Sequence, residues 1–134
     1  MVKASAHGAS LRTRAARGFT LIELIVVLAI VAMLVTLALP RYFHSVERSR
    51  EAVLRHDLRS LRNAIDQFCA DQGRYPASLD ELAQRRYLRS VPVDPLTDSA
   101  TSWVIVAPSD GAGVYDVRSG AQGNSLDGSP YESW

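Results

Sequence analysis

The sequence predicts an α+β protein in which one long N-terminal helix, membrane-spanning and then amphipathic, carries a small C-terminal antiparallel β-sheet head. Three observations predict it. An almost purely apolar run extends from Leu21 to Leu39. A second stretch places Leu54, Leu58, Leu61, Ile65 and Phe68 three or four residues apart, the spacing of one helix face. Two short runs of β-formers, Trp103 to Val106 and Val114 to Val117, flank a turn-rich link, the pattern of a hairpin.

The apolar run contains two side chains that are not apolar, Glu23 and Thr36. Phe19 to Leu39 is 21 residues, and a transmembrane helix needs about 20 at roughly 1.5 Å each. A carboxylate in such a segment costs about 2.5 kcal/mol or more at mid-membrane and less near an end, so Glu23 asks for a partner. A cut between Gly18 and Phe19 would create an α-amine four positions from Glu23. Both groups would lie at the helix N-terminus, where the dipole favours the acid. An amine from one copy meeting Glu23 of a neighbour would set the axial register of helices packed side by side.

A secretory signal peptide is the competing reading, with Thr36-Leu37-Ala38 imitating its cleavage site. The run is longer than the usual 7 to 15 residues, holds an acid, and is followed at once by Pro40, so retention of the helix is preferred. Arginines and a lysine flank the span on both sides, Lys3, Arg12, Arg14 and Arg17 before it and Arg41, Arg48, Arg50, Arg55 and Arg59 after it. Charge alone therefore selects no orientation.

Gly18-Phe19-Thr20-Leu21-Ile22-Glu23, followed by that run, resembles the type III signal of bacterial type IV pilins and type II secretion pseudopilins. The resemblance implies that a prepilin peptidase cleaves after Gly18 and that Phe19 is then N-methylated. It implies that Glu23 guides subunit docking, that the N-terminus faces the cytoplasm, and that a single-pass inner-membrane helix bears a periplasmic head. The expected division is a leader over 1–18, a transmembrane and assembly helix over 19–39, an amphipathic helix over 40–72 and a head over 73–134.

Pro40 removes one backbone donor and is expected to bend the rod without ending it. The amphipathic half should stop near Gly73, with Pro76 just beyond. Ser78-Leu79-Asp80-Glu81 has the form of a capping box and predicts a short helix from Leu79 to about Arg85. Pro92 and Pro95 make Val91 to Thr97 a loop, with Tyr87 and Leu88 anchoring its start. Gly73-Arg74-Tyr75-Pro76, the short helix and Val91-Pro92-Val93-Asp94-Pro95 resemble the segment after the long helix in major pseudopilins of type II secretion. That resemblance implies the type IV pilin-like fold, a head packed on a hydrophobic handle.

Of the 15 basic residues, four precede Gly18, whereas all 14 acids follow it. The processed chain therefore carries 11 basic against 14 acidic residues, a net −3, and no basic patch argues for nucleic acid. Arg41 to Arg62 holds six arginines against three acids, while the stretch from Asp94 onward has Arg118 as its single basic residue. This polarity suits head-to-tail stacking of copies, and a solvated helix face explains the arginines equally well. Cys69 is the only cysteine, so no intramolecular disulfide or cysteine metal cluster is available, and a packing role is expected.

The tail from Ser119 is too polar for a core, and Tyr131 and Trp134 are expected to pin it down. Resemblance to major pseudopilins implies a structural calcium ion in this loop, with Asp116, Asn124 and Asp127 as the oxygen donors of the region. Calcium takes six to eight oxygens, and Asp127-Gly128-Ser129-Pro130 is also an ordinary turn, so a network of Asx turns competes with the metal. No cofactor is required.

No HExxH, GxSxG or Walker pattern occurs, and His44 and His56 lie twelve residues apart on a helix, so an enzyme is not expected. The expected function is a structural subunit of a type II secretion pseudopilus. Its partners would be the prepilin peptidase, further copies in a filament, other pseudopilins and an inner-membrane assembly platform. The alternative is a type IV pilus or competence pilin. Long pilins often carry a C-terminal disulfide loop, for which this chain lacks the cysteines. A membrane-tethered enzyme or binding module is the more distant reading.

Overall fold

A computed structural model describes residues 2–3 and 17–134; the remainder of the expected leader lies outside them. The chain divides into two compact units, Met1–Leu39 and Pro40–Trp134. Helix α1 runs Leu21–Gln72, helical through Pro40. Thr20 caps it, its Oγ1 accepting the Glu23 N–H at 3.2 Å, and so satisfies one of the four orphan donors of a helix start. At the other end Gly73 takes φ +67° and donates its N–H to Cys69 O at 2.9 Å. That left-handed turn is where glycine stops a helix without a Cβ penalty.

Within the second unit the predicted stripe is the core. Leu54, Leu61, Ile65 and Phe68 are fully buried, and Leu58 and Ala64 nearly so. They pack with Leu79, Leu82, Trp103, Val114 and Val117 in one cluster, with Tyr75, Tyr87, Leu88, Val91, Leu96, Tyr131 and Trp134 around its margin. Helix α2, Leu79–Gln84, starts where the capping box requires, the Glu81 N–H donating to Ser78 Oγ at 3.3 Å. The carboxylate reaches one residue further back than in a simple box, to the Ala77 N–H at 2.7 Å, and also holds Arg74. Tyr87 stacks edge-on against Phe68 with ring centroids 5.2 Å apart and donates its hydroxyl to Asp71, which is the expected anchor before the proline loop.

Strands β1, Val104–Val106, and β2, Asp116–Arg118, pair antiparallel with Ile105 opposite Val117. The second strand begins two residues later than the β-former run suggested. The Val114 N–H is taken by Pro76 O at 2.8 Å instead of by β1, so Val114 serves the helix-to-head junction. The proline loop is fixed from within: Trp103 donates its indole N–H to Pro92 O at 2.8 Å. Fully buried Asp94 accepts the Ser119 hydroxyl at 2.6 Å and the Leu96 N–H at 2.9 Å. A carboxylate in a core is tolerated on such terms, with both oxygens occupied by donors.

Candidate functional site

The first candidate site is the start of α1. Gly18 and Phe19 precede the first helical residue, Leu21. Phe19 is 88% exposed, and nothing among the described residues lies within 4 Å of where a Cβ on Gly18 would project. The Gly18–Phe19 peptide is therefore non-helical and open, the state in which an enzyme can seat a backbone for hydrolysis. Thr20-Leu21-Ile22-Glu23 is itself a capping sequence, so the helix is bound to begin just after this peptide. Thr20 carries no expected role in the sequence reading; the T-x-x-E spacing is the signal that identifies it.

Glu23 lies in the first turn of α1, where the dipole stabilises a negative charge. It is exposed and makes no ion pair among the described residues. Every residue from Leu21 to Leu39 is exposed as well, and the helix is long and apolar enough to cross a membrane. The segment thus presents an uncovered apolar surface with one acid near its end. In lipid that acid is costly, and the chemistry that relieves it is a positive charge brought by another molecule or by a newly freed α-amine. His44 and His56 are both exposed.

The head candidates are held separately. Asp116, on β2, accepts Arg62 Nε at 2.8 Å, and the same oxygen takes the Val117 N–H. Asp127 accepts Arg55 Nη2 on one oxygen at 3.2 Å. Its other oxygen takes the Ser129 N–H at 2.9 Å, the Ser129 hydroxyl at 2.6 Å and the Ser125 hydroxyl. Those donors push its carboxyl well below the usual range, the serine hydroxyls first. Asn124 is exposed and forms a β-bridge with Pro130. Among the described residues no group of three or more His, Cys, Asp or Glu gathers as a metal cluster would. The two carboxylates face two arginines seven positions apart on α1, about 10 Å along the axis. A calcium ion drawing on both would meet guanidinium charge at each, so these residues do not fit the implied ion.

Arg55 and Arg62 thus serve the head, where the charge pattern alone fits a solvated face and inter-copy stacking equally. Glu51 also has a role that charge counting does not show: it is 8% exposed, and its Oε1 accepts the Leu126 N–H at 2.7 Å and the Tyr131 hydroxyl at 2.9 Å. Its signal was available, because Glu51 continues the stripe three positions before Leu54. Burial, then the Glu51 carboxylate, raises the Tyr131 hydroxyl to about 12, so it stays protonated and donates. Cys69 is half-buried and free.

The prokaryotic N-terminal methylation motif matches residues 13–39. The chain is similar to type II secretion system core protein G of Escherichia coli K12, 29% identical over 119 residues that cover 77% of this chain and 79% of that protein. It is 30% identical to core protein G of Pectobacterium carotovorum, across 83% of this chain and 72% of that one. Fimbrial protein EcpC of Eikenella corrodens is 32% identical over 82% and 71% of the two chains. No solved structure gives a significant match.

Proposed function

Because the chain belongs to the pseudopilin family of type II secretion, within the type IV pilin-like proteins, we propose that it is a structural subunit of a pseudopilus, a filament that drives protein export. The observation that carries this is the open Gly18–Phe19 peptide set directly before a capped, wholly exposed apolar helix with Glu23 in its first turn. A prepilin peptidase cuts after Gly18, and methylation follows on the Phe19 amine. The precursor waits in the inner membrane by its single apolar helix, with the head in the periplasm. Extraction by the inner-membrane assembly platform exchanges lipid for the same helix of neighbouring copies and of other pseudopilins.

Register follows from electrostatics in a low-dielectric bundle. The α-amine of one subunit placed beside Glu23 of the next neutralises a charge that hydrocarbon does not solvate, and a shift of one turn, about 5.4 Å, would separate the pair. The chain's own work is mechanical: it makes no bond and breaks none.

The testing experiment is an intact-mass and N-terminal determination on membrane-extracted protein from a host with the matching peptidase, alongside deletion and complementation of the gene. A chain beginning at N-methylated Phe19, together with exoprotein secretion lost on deletion and restored by complementation, is the expected result. A chain beginning at Met1 or Leu39 removes the filament reading. Correct processing with secretion intact and a surface pilus lost transfers the subunit to a pilus machine.

A further inference from the structure

The tail from Ser119 to Trp134 carries too little apolar surface to hold itself in place, yet Ser119, Ala121 and Ser125 are buried. Ordering such a loop costs conformational entropy at every residue, so some set of groups must offset it. In this head they are protein groups on two turns of α1. Glu51 takes the Leu126 N–H and the Tyr131 hydroxyl on a single oxygen. One turn further, Arg55 pairs with Asp127 through one nitrogen while its guanidinium lies over the Trp134 ring, 4.1 Å from the centroid. Trp134 returns a bond to the loop, its indole N–H donating to Ser129 Oγ at 2.9 Å. It also packs edge-on against Tyr131 at 5.3 Å between centroids. Within the loop Asp127 gathers Ser125 and Ser129, and the Ser125 N–H donates to Ser129 O.

A cation recruited to Asp127 would compete with an N–H and two hydroxyl donors on one oxygen and with the Arg55 guanidinium charge on the other, and would find a single carboxylate there. Calcium needs several such groups converging on one point. The Asp116 carboxylate, the other acid of the expected donor set, is turned to Arg62. Each requirement of a metal-stapled loop is therefore met by a different chemistry: charge by Arg55, chain crossing by Glu51, and bulk by the Tyr131 and Trp134 rings.

We infer that the C-terminal loop is a metal-free clasp, closed on α1 by Glu51 and Arg55 against Leu126, Asp127, Tyr131 and Trp134, so that this head folds and stays folded without calcium. The test uses the processed chain in detergent micelles, with thermal unfolding followed by circular dichroism in EDTA, in millimolar calcium chloride and in millimolar magnesium chloride. The midpoint is expected to be the same in all three. A site filled to about a hundredfold over its dissociation constant would raise a head of this size by roughly 10 °C or more. A calcium-specific rise of that kind, or saturable calcium binding by calorimetry, overturns the inference.

A second arm tests the clasp itself. Glu51→Ala and Arg55→Ala are each expected to lower the midpoint and to open the loop after Ser119 to limited proteolysis, equally with and without calcium. Glu51→Gln, which keeps an acceptor oxygen, restores much of the loss. Arg59→Ala, with no ion pair among the described residues, changes neither reading. An unaltered midpoint and protease pattern in Glu51→Ala and Arg55→Ala also overturns the inference. Neither result bears on the family assignment, which rests on the N-terminal segment and the processing experiment.

Discussion

Leu61→Ala is the perturbation that tests whether the head is built on the helical stripe. Leu61 is 0% exposed and sits mid-stripe, between Leu58 and Ile65. The substitution removes three carbons from a fully dry site, at about 0.8 kcal/mol each, or about 2.4 kcal/mol of transfer free energy. The cavity left behind adds to this, because neighbours on a helix relax only partly, which brings the expected loss to about 3 to 4 kcal/mol. A head of this length has a total stability of about 5 to 14 kcal/mol, so the variant stays folded but loses a large share. Its thermal midpoint should fall by roughly 12 to 32 °C at about 4 to 8 °C per kcal/mol. The assay is urea unfolding of the processed chain in micelles, followed by Trp103 and Trp134 fluorescence, with Arg59→Ala as the exposed control on the same helix. A loss under about 1 kcal/mol at unchanged denaturant slope would show that α1 does not supply the core.

Gly18→Val should leave full-length precursor in the membrane by immunoblot, because a branched side chain crowds the scissile carbonyl that glycine leaves open; normal processing would refute the site. Glu23→Ala should be cut and methylated normally by mass but form filaments poorly, and filaments of wild-type length by electron microscopy would remove the register argument. Gly120→Ala should destabilise the head severely, since a Cβ there would stand 2.1 Å from Ser102 O, a backbone oxygen that cannot swing away as a side chain can; a soluble variant with an unchanged midpoint would contradict that packing. Acid should weaken the head in a defined window. Arg74, then the Ala77 N–H, lowers Glu81 from 4.5 to about 2, and Asp127 is lowered in the same direction. Groups depressed in the folded state stabilise it above their unfolded pKa and lose that contribution as pH falls through the folded one. The thermal midpoint should therefore be level from about pH 7 to 5 and decline between about 5 and 2. A midpoint that rises in that interval would reverse the assignment.

Much of this architecture is local, and local features are legible. The start of α1 is written in Thr20 and Glu23, its end in Gly73, and its buried face in the spacing from Leu54 to Phe68. The start of α2 is written in Ser78 and Glu81. The β-former runs located the hairpin, but not its first pair: Val114 looks like strand and gives its N–H to Pro76, a partner 38 residues earlier that no window contains. Asp94 reads as a loop acid and is the buried acceptor for Ser119. Arg55 and Arg62 read as a solvated face or as part of a stacking surface between copies, and hold the head's carboxylates.

The sequence by itself determined which segment is long and apolar enough to span a membrane, where α1 ends and α2 begins, and which residues form the core stripe. These follow from hydropathy, periodicity and capping, each a property of a few neighbouring residues. Only the tertiary structure decided what Asp116 and Asp127 face and what closes the C-terminal loop. Glu51 meets Leu126 and Tyr131 across 75 and 80 residues, and Arg55 meets Asp127 across 72. A carboxylate's partner is set by whichever donor the fold brings within about 3 Å, and at such separations composition cannot tell a metal from an arginine.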